Sequence, residues 1–354
     1  MKIAIVGGGI FGVTIAFKLA ERHSVDLFEK NDDILKGASD VNQCRVHRGY
    51  HYPRSKETVS SVLEAENSFM EEFSDAILKG TEVYYCIAKK DSLTSRQQYI
   101  DFCKQNNLEF VESNLDVIDK EQIDLCVKVK ENLFDHEILK KICWKKLKQN
   151  NVRVLLKKEA TEAIFDHYDF VVICTYAHLN KLLKRFPQSQ RDYQYEICEK
   201  LFVELPTSFN NKSILIMDGP FMSIDPVGTT GLFIIGDVVN TVCKTNTGKH
   251  PKINGKFLPL LDKVIIKNPP ITNFRFFIES AARFIPQVRR AKHIGSAFCI
   301  KTVLPKVDNT DERPTLIEVI NNKTVTVFSG KIPTCVETAK KVAQKVEEFT
   351  TKKI

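Results

Sequence analysis

Lys2-Ile-Ala-Ile-Val-Gly-Gly-Gly-Ile-Phe-Gly-Val-Thr-Ile-Ala-Phe-Lys-Leu-Ala-Glu-Arg-His-Ser-Val-Asp-Leu-Phe-Glu29 decides the fold. Ile3 to Val6 is a short apolar run of strand type. Gly7, Gly9 and Gly12 fill the positions of a G-x-G-x-x-G turn. Ile15, Ala16, Leu19 and Ala20 then recur at helical spacing, and Val25 to Phe28 reads as a second strand ending in Glu29. The three glycines serve different ends. Gly7 permits the tight turn, Gly9 lets backbone approach a pyrophosphate, and Gly12 lets helix and strand pack closely. The helix start, with Ile10 and Phe11, offers free N–H groups and a positive dipole end to phosphates. Glu29, twenty residues after Gly9, can accept hydrogen bonds from ribose hydroxyls, with Lys30 beside it. The unit predicts a dinucleotide site but leaves NAD and FAD both open.

Composition sets the frame. The 354 residues are 43% apolar and 27% charged, which predicts a globular chain of about two domains. The net charge of +8 suits an anionic small-molecule substrate. The basic clusters at Lys140–Lys146 and Arg289–Lys292 have helical spacing and read as solvated faces, not a nucleic-acid surface. None of the ten cysteines forms a CxxC pair, so no metal site is expected. Thiols inside apolar runs, as in Val171-Val172-Ile173-Cys174, fit a reducing cytoplasm. Glycines interrupt the N-terminal apolar run, and Lys18, Glu21 and Arg22 follow, unlike a secretory leader. No apolar run is long enough for a membrane span.

The stretch after Glu29 argues for FAD. Gly37-Ala-Ser-Asp-Val-Asn-Gln-Cys-Arg-Val-His-Arg-Gly-Tyr-His-Tyr-Pro-Arg-Ser55 is polar and aromatic, where a plain NAD domain would continue into another helix and strand. Ser39, Asn42 and Gln43, then His47, Gly49, Tyr50 and Tyr52, resemble the flavin-facing segment of the D-amino-acid oxidase superfamily. The resemblance extends to Val152–Leu156, where Val154 stands as an adenine-end contact, and to Tyr168–Ala177, which supplies Thr175. Near the end, the strand from Val325, the Ser329-Gly330-Lys331 turn and the helix from about Thr334 are similar to the family's last flavin segment. It implies a Rossmann-type α/β FAD-binding domain completed from both ends of the chain, residues 1–80, 131–190 and 311–354. Residues 81–130 and 191–310 then form an antiparallel-sheet α+β substrate domain. Its strands read as Glu82–Ala88, Glu196–Leu205, Ser213–Met217, Leu232–Ile235 and Ala297–Val303, with 236–241 turning toward the site and 244–256 an exposed loop.

The function implied is oxidation of a C–H bond beside N or O in a small amine, amino acid, hydroxy acid or sugar-derived substrate. Arg48 is the favoured cation for a substrate carboxylate, ahead of Arg45, Arg54, Lys301 and Arg313. His47 and His51 are placed to take a proton, and Tyr52 to wall the pocket. Asn42-Gln-x-Arg-Val-His-x-Gly-Tyr-His-Tyr-Pro53 also resembles oxidoreductases of surface-sugar biosynthesis, which implies a nucleotide-linked or modified sugar. The alternatives are an NAD(P)-dependent dehydrogenase and a flavin-binding protein without turnover. Oligomeric state is left open.

Overall fold

The computed structural model describes residues 1–219, 221–307 and 312–351. The expected domain boundary at 310/311 and the last three residues lie outside the described residues. Strand β1 (Lys2–Val6), helix α1 (Ile10–Leu19) and strand β2 (Ser24–Phe28) form the opening unit. The two strands pair in parallel, Ile3 against Val25 and Val6 against Phe28. They are central in a 6-stranded sheet. Phe170–Ile173 lies on the other side of β1, and Arg153–Leu155 beyond β2, both parallel. Thr324–Phe328 extends the sheet in parallel, and Leu316–Asn321 closes it as an antiparallel hairpin. Strands from both ends of the chain thus share one sheet.

Side-chain alternation along β1 explains why this sheet is buried on both faces. Ile3 and Ile5 pack with Val13 and Ile15 of α1, Leu139 of helix His136–Gln149 and Val342 of helix Cys335–Thr351. Ala4 and Val6 point the other way, toward Leu179, Leu182, Tyr195 and Ile300. Helix His136–Gln149 starts where Asp135 caps it, its carboxylate accepting from the Ile138 N–H at 3.0 Å. The helix begins only after Asn132–Leu133, which is paired with Arg45–Val46.

The second sheet has nine strands. Its spine is Tyr193–Glu204, paired along its whole length with Lys292–Val303. On its other edge the partner changes. Tyr193 to Cys198 pair with Val242–Gly248, and Leu201 to Val203 pair with Phe233–Asp237. Glu199 and Lys200 lie at this fork, where the Glu199 N–H donates to the Thr241 carbonyl at 2.8 Å. The sheet continues through Met222–Pro226 and Lys212–Met217 to Glu82–Ala88 and Ile123–Val129. Two expectations change. The sheet is mixed, because Lys212–Met217 runs parallel to Glu82–Ala88. The stretch 244–256 is not wholly a loop, since its first residues belong to Val242–Gly248, whose backbone groups pair with the spine. Among the described residues no helix is long and apolar enough to cross a membrane.

Candidate active site

The glycines after β1 are set by two different constraints. Gly7 has φ +107°, and a Cβ there would stand 2.6 Å from the Cys174 carbonyl oxygen. A Cβ on Gly12 would stand 1.9 Å from the Gly7 oxygen. Both are demanded by the fold itself. Gly9 is freer: its Cβ would meet only the Ser39 hydroxyl, at 3.1 Å. The Ile10 N–H, at the start of α1, donates to that same hydroxyl at 3.0 Å. Glu29 is buried, its carboxylate accepting from the Gly8 N–H at 2.7 Å and the Asn31 N–H at 2.8 Å. Lys30 reaches Asp262 at 3.0 Å, on a loop arriving from the second sheet. A helix N-terminus, a cradle that a Cβ would narrow and an oriented carboxylate are what the ADP half of a dinucleotide needs.

The cradle opens into one cavity of about 1080 Å³ shared by both sheets. Asn42 stiffens the segment at its edge, donating to the Ser39 carbonyl at 2.8 Å and accepting from the Cys44 N–H at 2.7 Å. The His47 and His51 rings lie 5.5 and 5.0 Å from the Tyr52 ring, and the Lys331 ammonium sits 4.8 Å over that ring. Burial, with the Lys331 charge beside it, holds the His47 pKa well below the ordinary histidine range. His47 is therefore a neutral imidazole able to accept a proton. At the opposite end of the chain, a Cβ on Gly330 would stand 2.3 Å from the Arg313 carbonyl oxygen, so backbone crossing fixes that glycine. Thr175 also faces the cavity, its hydroxyl without a hydrogen-bond partner among the described residues.

Of the residues expected at the site, all but Gly12, Arg48, Gly49, Tyr50, Tyr52 and Val154 line this cavity. Gly12 lies behind Gly7, and Tyr52 is packed behind the two histidines. Val154 pairs with Leu27 in the first sheet and packs against its core. Arg48 faces away. Consecutive residues of an extended segment point to opposite sides, so His47 turns in and Arg48 turns out. Its Nε lies 3.1 Å from Glu66, and its Nη1 donates to the Lys130 carbonyl at 3.5 Å. Replacing Arg48 by alanine is expected to cost about 1 kcal/mol of stability, as for a partly exposed pair, and to leave turnover within about twofold. Urea melts and steady-state rates check this.

Three groups matter more in the structure than their sequence context suggests. Arg54 makes a fork to Asp218, at 2.7 and 3.2 Å, at the cavity wall, and Asp218 also accepts from the Thr94 hydroxyl at 2.7 Å. Arg45 is buried, donating to Asp225 at 2.5 Å and Ser213 at 2.6 Å, with Glu131 at 3.3 Å. Glu131 also accepts from the Tyr85 hydroxyl at 2.8 Å and the Arg48 N–H at 3.0 Å. Lys200, at the fork of the second sheet, is 8% exposed and lines the cavity. It was missed from sequence, although a signal for it existed: Glu199-Lys200 interrupts the apolar run from Ile197 to Val203.

A dinucleotide cradle on a parallel sheet, opening into a chamber walled by a second, mostly antiparallel sheet, defines the architecture of a two-domain flavoenzyme. The chain belongs to the FAD dependent oxidoreductase (DAO) family, whose profile matches residues 2–316. A curated relative, the FAD-dependent monooxygenase FPY4 of Fusarium mangiferae, is 27% identical over 249 residues, 68% of this chain and 64% of that protein. The match therefore spans somewhat under two thirds of the relative's length. Among solved structures, glycine oxidase from Geobacillus kaustophilus superposes with a TM-score of 0.71 at 15% identity, over 98% of this chain and 94% of its own. L-alpha-glycerophosphate oxidase from Mycoplasma pneumoniae, with FAD bound, gives 0.71 at 13% identity, over 98% and 94%. The cofactor is thus FAD, and the NAD(P)-dependent alternative falls away.

Proposed function

We propose that the chain oxidises a small anionic molecule, an amine, amino acid, hydroxy acid or sugar-derived acid, at a C–H bond beside N or O. The observation that carries this is one cavity lined both by the nucleotide cradle and by His47, Arg54 and Lys200. FAD, when bound, supplies the acceptor for the hydride equivalent. Gly9, Ile10 and Glu29 would hold its ADP half. Asn42, Gln43, Gly330 and Lys331 would hold the flavin end. The residue ranges 1–80, 131–190 and 311–354 are then the cofactor domain, and 81–130 with 191–310 the substrate domain. His47 accepts the substrate's N–H or O–H proton, because burial keeps its imidazole neutral. The Arg54–Asp218 fork fixes part of the chamber wall. The buried thiols favour a cytoplasmic setting.

The test is an anaerobic screen of the yellow holoenzyme with amino acids, amines, hydroxy acids and sugar acids, read by loss of flavin absorbance. Bleaching by at least one acid is expected. Bleaching by dithionite but by no member of the panel counts against the reading. The name of the Fusarium relative favours a second reading, insertion of one oxygen atom from O₂. Counting hydrogen peroxide separates them: one per product for oxidation, none for oxygen insertion.

A further inference from the structure

The long strand Tyr193–Glu204 carries its one buried lysine at the place where its partner strand changes. The Lys200 ammonium makes no hydrogen bond or ion pair with any described residue, although the residue is 8% exposed. Its charged neighbours are already matched. Asp225 is bound by Arg45, and Lys301 pairs with Glu196 at 3.0 Å. The other groups facing it are the Cys198 and Cys299 thiols, both neutral because burial pushes them up. A buried cation without a counter-charge is costly unless an anion joins it. Burial accordingly draws the Lys200 pKa below its ordinary value.

Gly236 shows where that anion fits. It stands on the strand next to Lys200 and opposite Ser223. A Cβ built on Gly236 would lie 2.9 Å from the Gln43 amide nitrogen, 2.9 Å from the Ser223 hydroxyl and 3.7 Å from the Lys200 ammonium. Three polar heads therefore border the space that a side chain at residue 236 would fill, and glycine leaves that space open. None of the three has a side-chain hydrogen-bond partner among the described residues, and all three line the cavity. They come from three elements: the spine strand, strand Met222–Pro226 and the segment after Ser39.

We infer that Lys200, Gln43 and Ser223 form a carboxylate-binding subsite over Gly236, which seats the anionic group of the substrate. The chemistry selects the ligand. An ammonium offers three donors, an amide two and a hydroxyl one, enough for the lone pairs of two carboxylate oxygens. One cation balances one negative charge, so a monoanion is matched and a phosphate dianion is not. The assignment rests on the chamber being the substrate site, replaces Arg48 in that role and turns the Gln43 amide from the flavin end to the substrate.

The test is equilibrium titration of the FAD-loaded enzyme with acetate and, separately, inorganic phosphate. It is read by the flavin's visible absorbance and by the shift in melting temperature. Wild type is expected to respond saturably to acetate and more weakly to phosphate. Lys200→Met and Gly236→Ala should each weaken acetate binding by roughly tenfold or more while retaining FAD. The first removes the charge, and the second fills the space at residue 236. Gly236→Ala keeps the proposal testable if the lysine variant does not fold. The subsite is overturned if wild type shows no acetate response by either readout, if either variant binds acetate as wild type does, or if phosphate binds more tightly. Neither readout needs turnover, so a failure here is distinguishable from a failure of the substrate screen.

Discussion

Gly12→Ala is expected to give a chain that melts far below FAD-free wild type and is isolated without FAD, whereas Gly9→Ala melts like FAD-free wild type and fails only in holding FAD. The two glycines belong to the same motif, and the structure separates their roles. A Cβ at Gly12 would lie 1.9 Å from the Gly7 carbonyl oxygen, a backbone atom. That contact is relieved only by moving α1 away from β1. Ile15 and Ala16 of α1 and Ile3 and Ile5 of β1 are completely buried, so such a shift disrupts the central layer of the first sheet. Overpacking a core costs about 1–3 kcal/mol, and a backbone clash in the middle of a parallel sheet belongs at the upper end or beyond. At Gly9 the nearest atom is the Ser39 hydroxyl at 3.1 Å, the end of a short side chain that can rotate aside. The added methyl then projects into the cradle, where the phosphates would lie against the helix N-terminus. FAD affinity should fall by roughly tenfold or more, about 1.4 kcal/mol per decade. The FAD-to-protein ratio after desalting and the melting temperature of each variant read both effects. Gly9→Ala holding FAD as tightly as wild type would mean that the pyrophosphate does not cross that glycine.

Those same residues show what the sequence makes legible. Gly7, Gly9, Gly12 and Glu29 announce themselves because their constraints are local: strand, turn, helix and strand follow within one short segment. The fold class followed from them, as did the return of a strand–glycine–helix unit at Val325–Thr334. The substrate side was not legible in the same way. Lys200, Ser223 and Gly236 are distant from Gln43 in sequence and meet only through strand register. Arg48 was the favoured anion partner because it stands in the flavin-facing segment. Sequence position fixed its neighbourhood but not its side, and the alternation that turns His47 inward turns Arg48 toward Glu66. Val154 lies in the strand foreseen for it, with its side chain packed against the core.

Arg45→Met should be the most damaging single change away from the glycine turn, and its cost should depend on pH. The guanidinium is buried between Glu131 and Asp225, whose side chains have no exposure. One cation thus holds two carboxylates, Asp225 on strand Met222–Pro226 and Glu131 in the connection after strand Ile123–Val129, and Ser213 and Tyr85 complete the cluster. Removing the cation leaves buried negative charge without compensation, which typically costs about 3–5 kcal/mol. Replacing the cluster together, as Arg45→Met with Glu131→Gln and Asp225→Asn, should cost less, because no unpaired charge remains. Burial already raises the Glu131 pKa, and Arg45 is the chief influence lowering it. Without Arg45 that pKa rises further in the folded state. A carboxyl whose pKa is higher folded than unfolded favours folding while protonated, and that contribution is lost as pH rises through the folded value. The deficit of Arg45→Met relative to wild type should therefore be largest at about pH 8 and shrink toward about pH 5. Urea melts of both proteins at the two pH values measure it. A deficit that is constant or grows on acidification would mean that Arg45 acts through shape and hydrogen bonds, not through the charge of Glu131. The same substitution carries a functional readout, since His47 lies 3.9 Å from Glu131 and the Arg45 charge helps keep its imidazole neutral. Any turnover left in the variant should show its acid limb at higher pH, as His47 takes up a proton more readily beside an unmatched carboxylate.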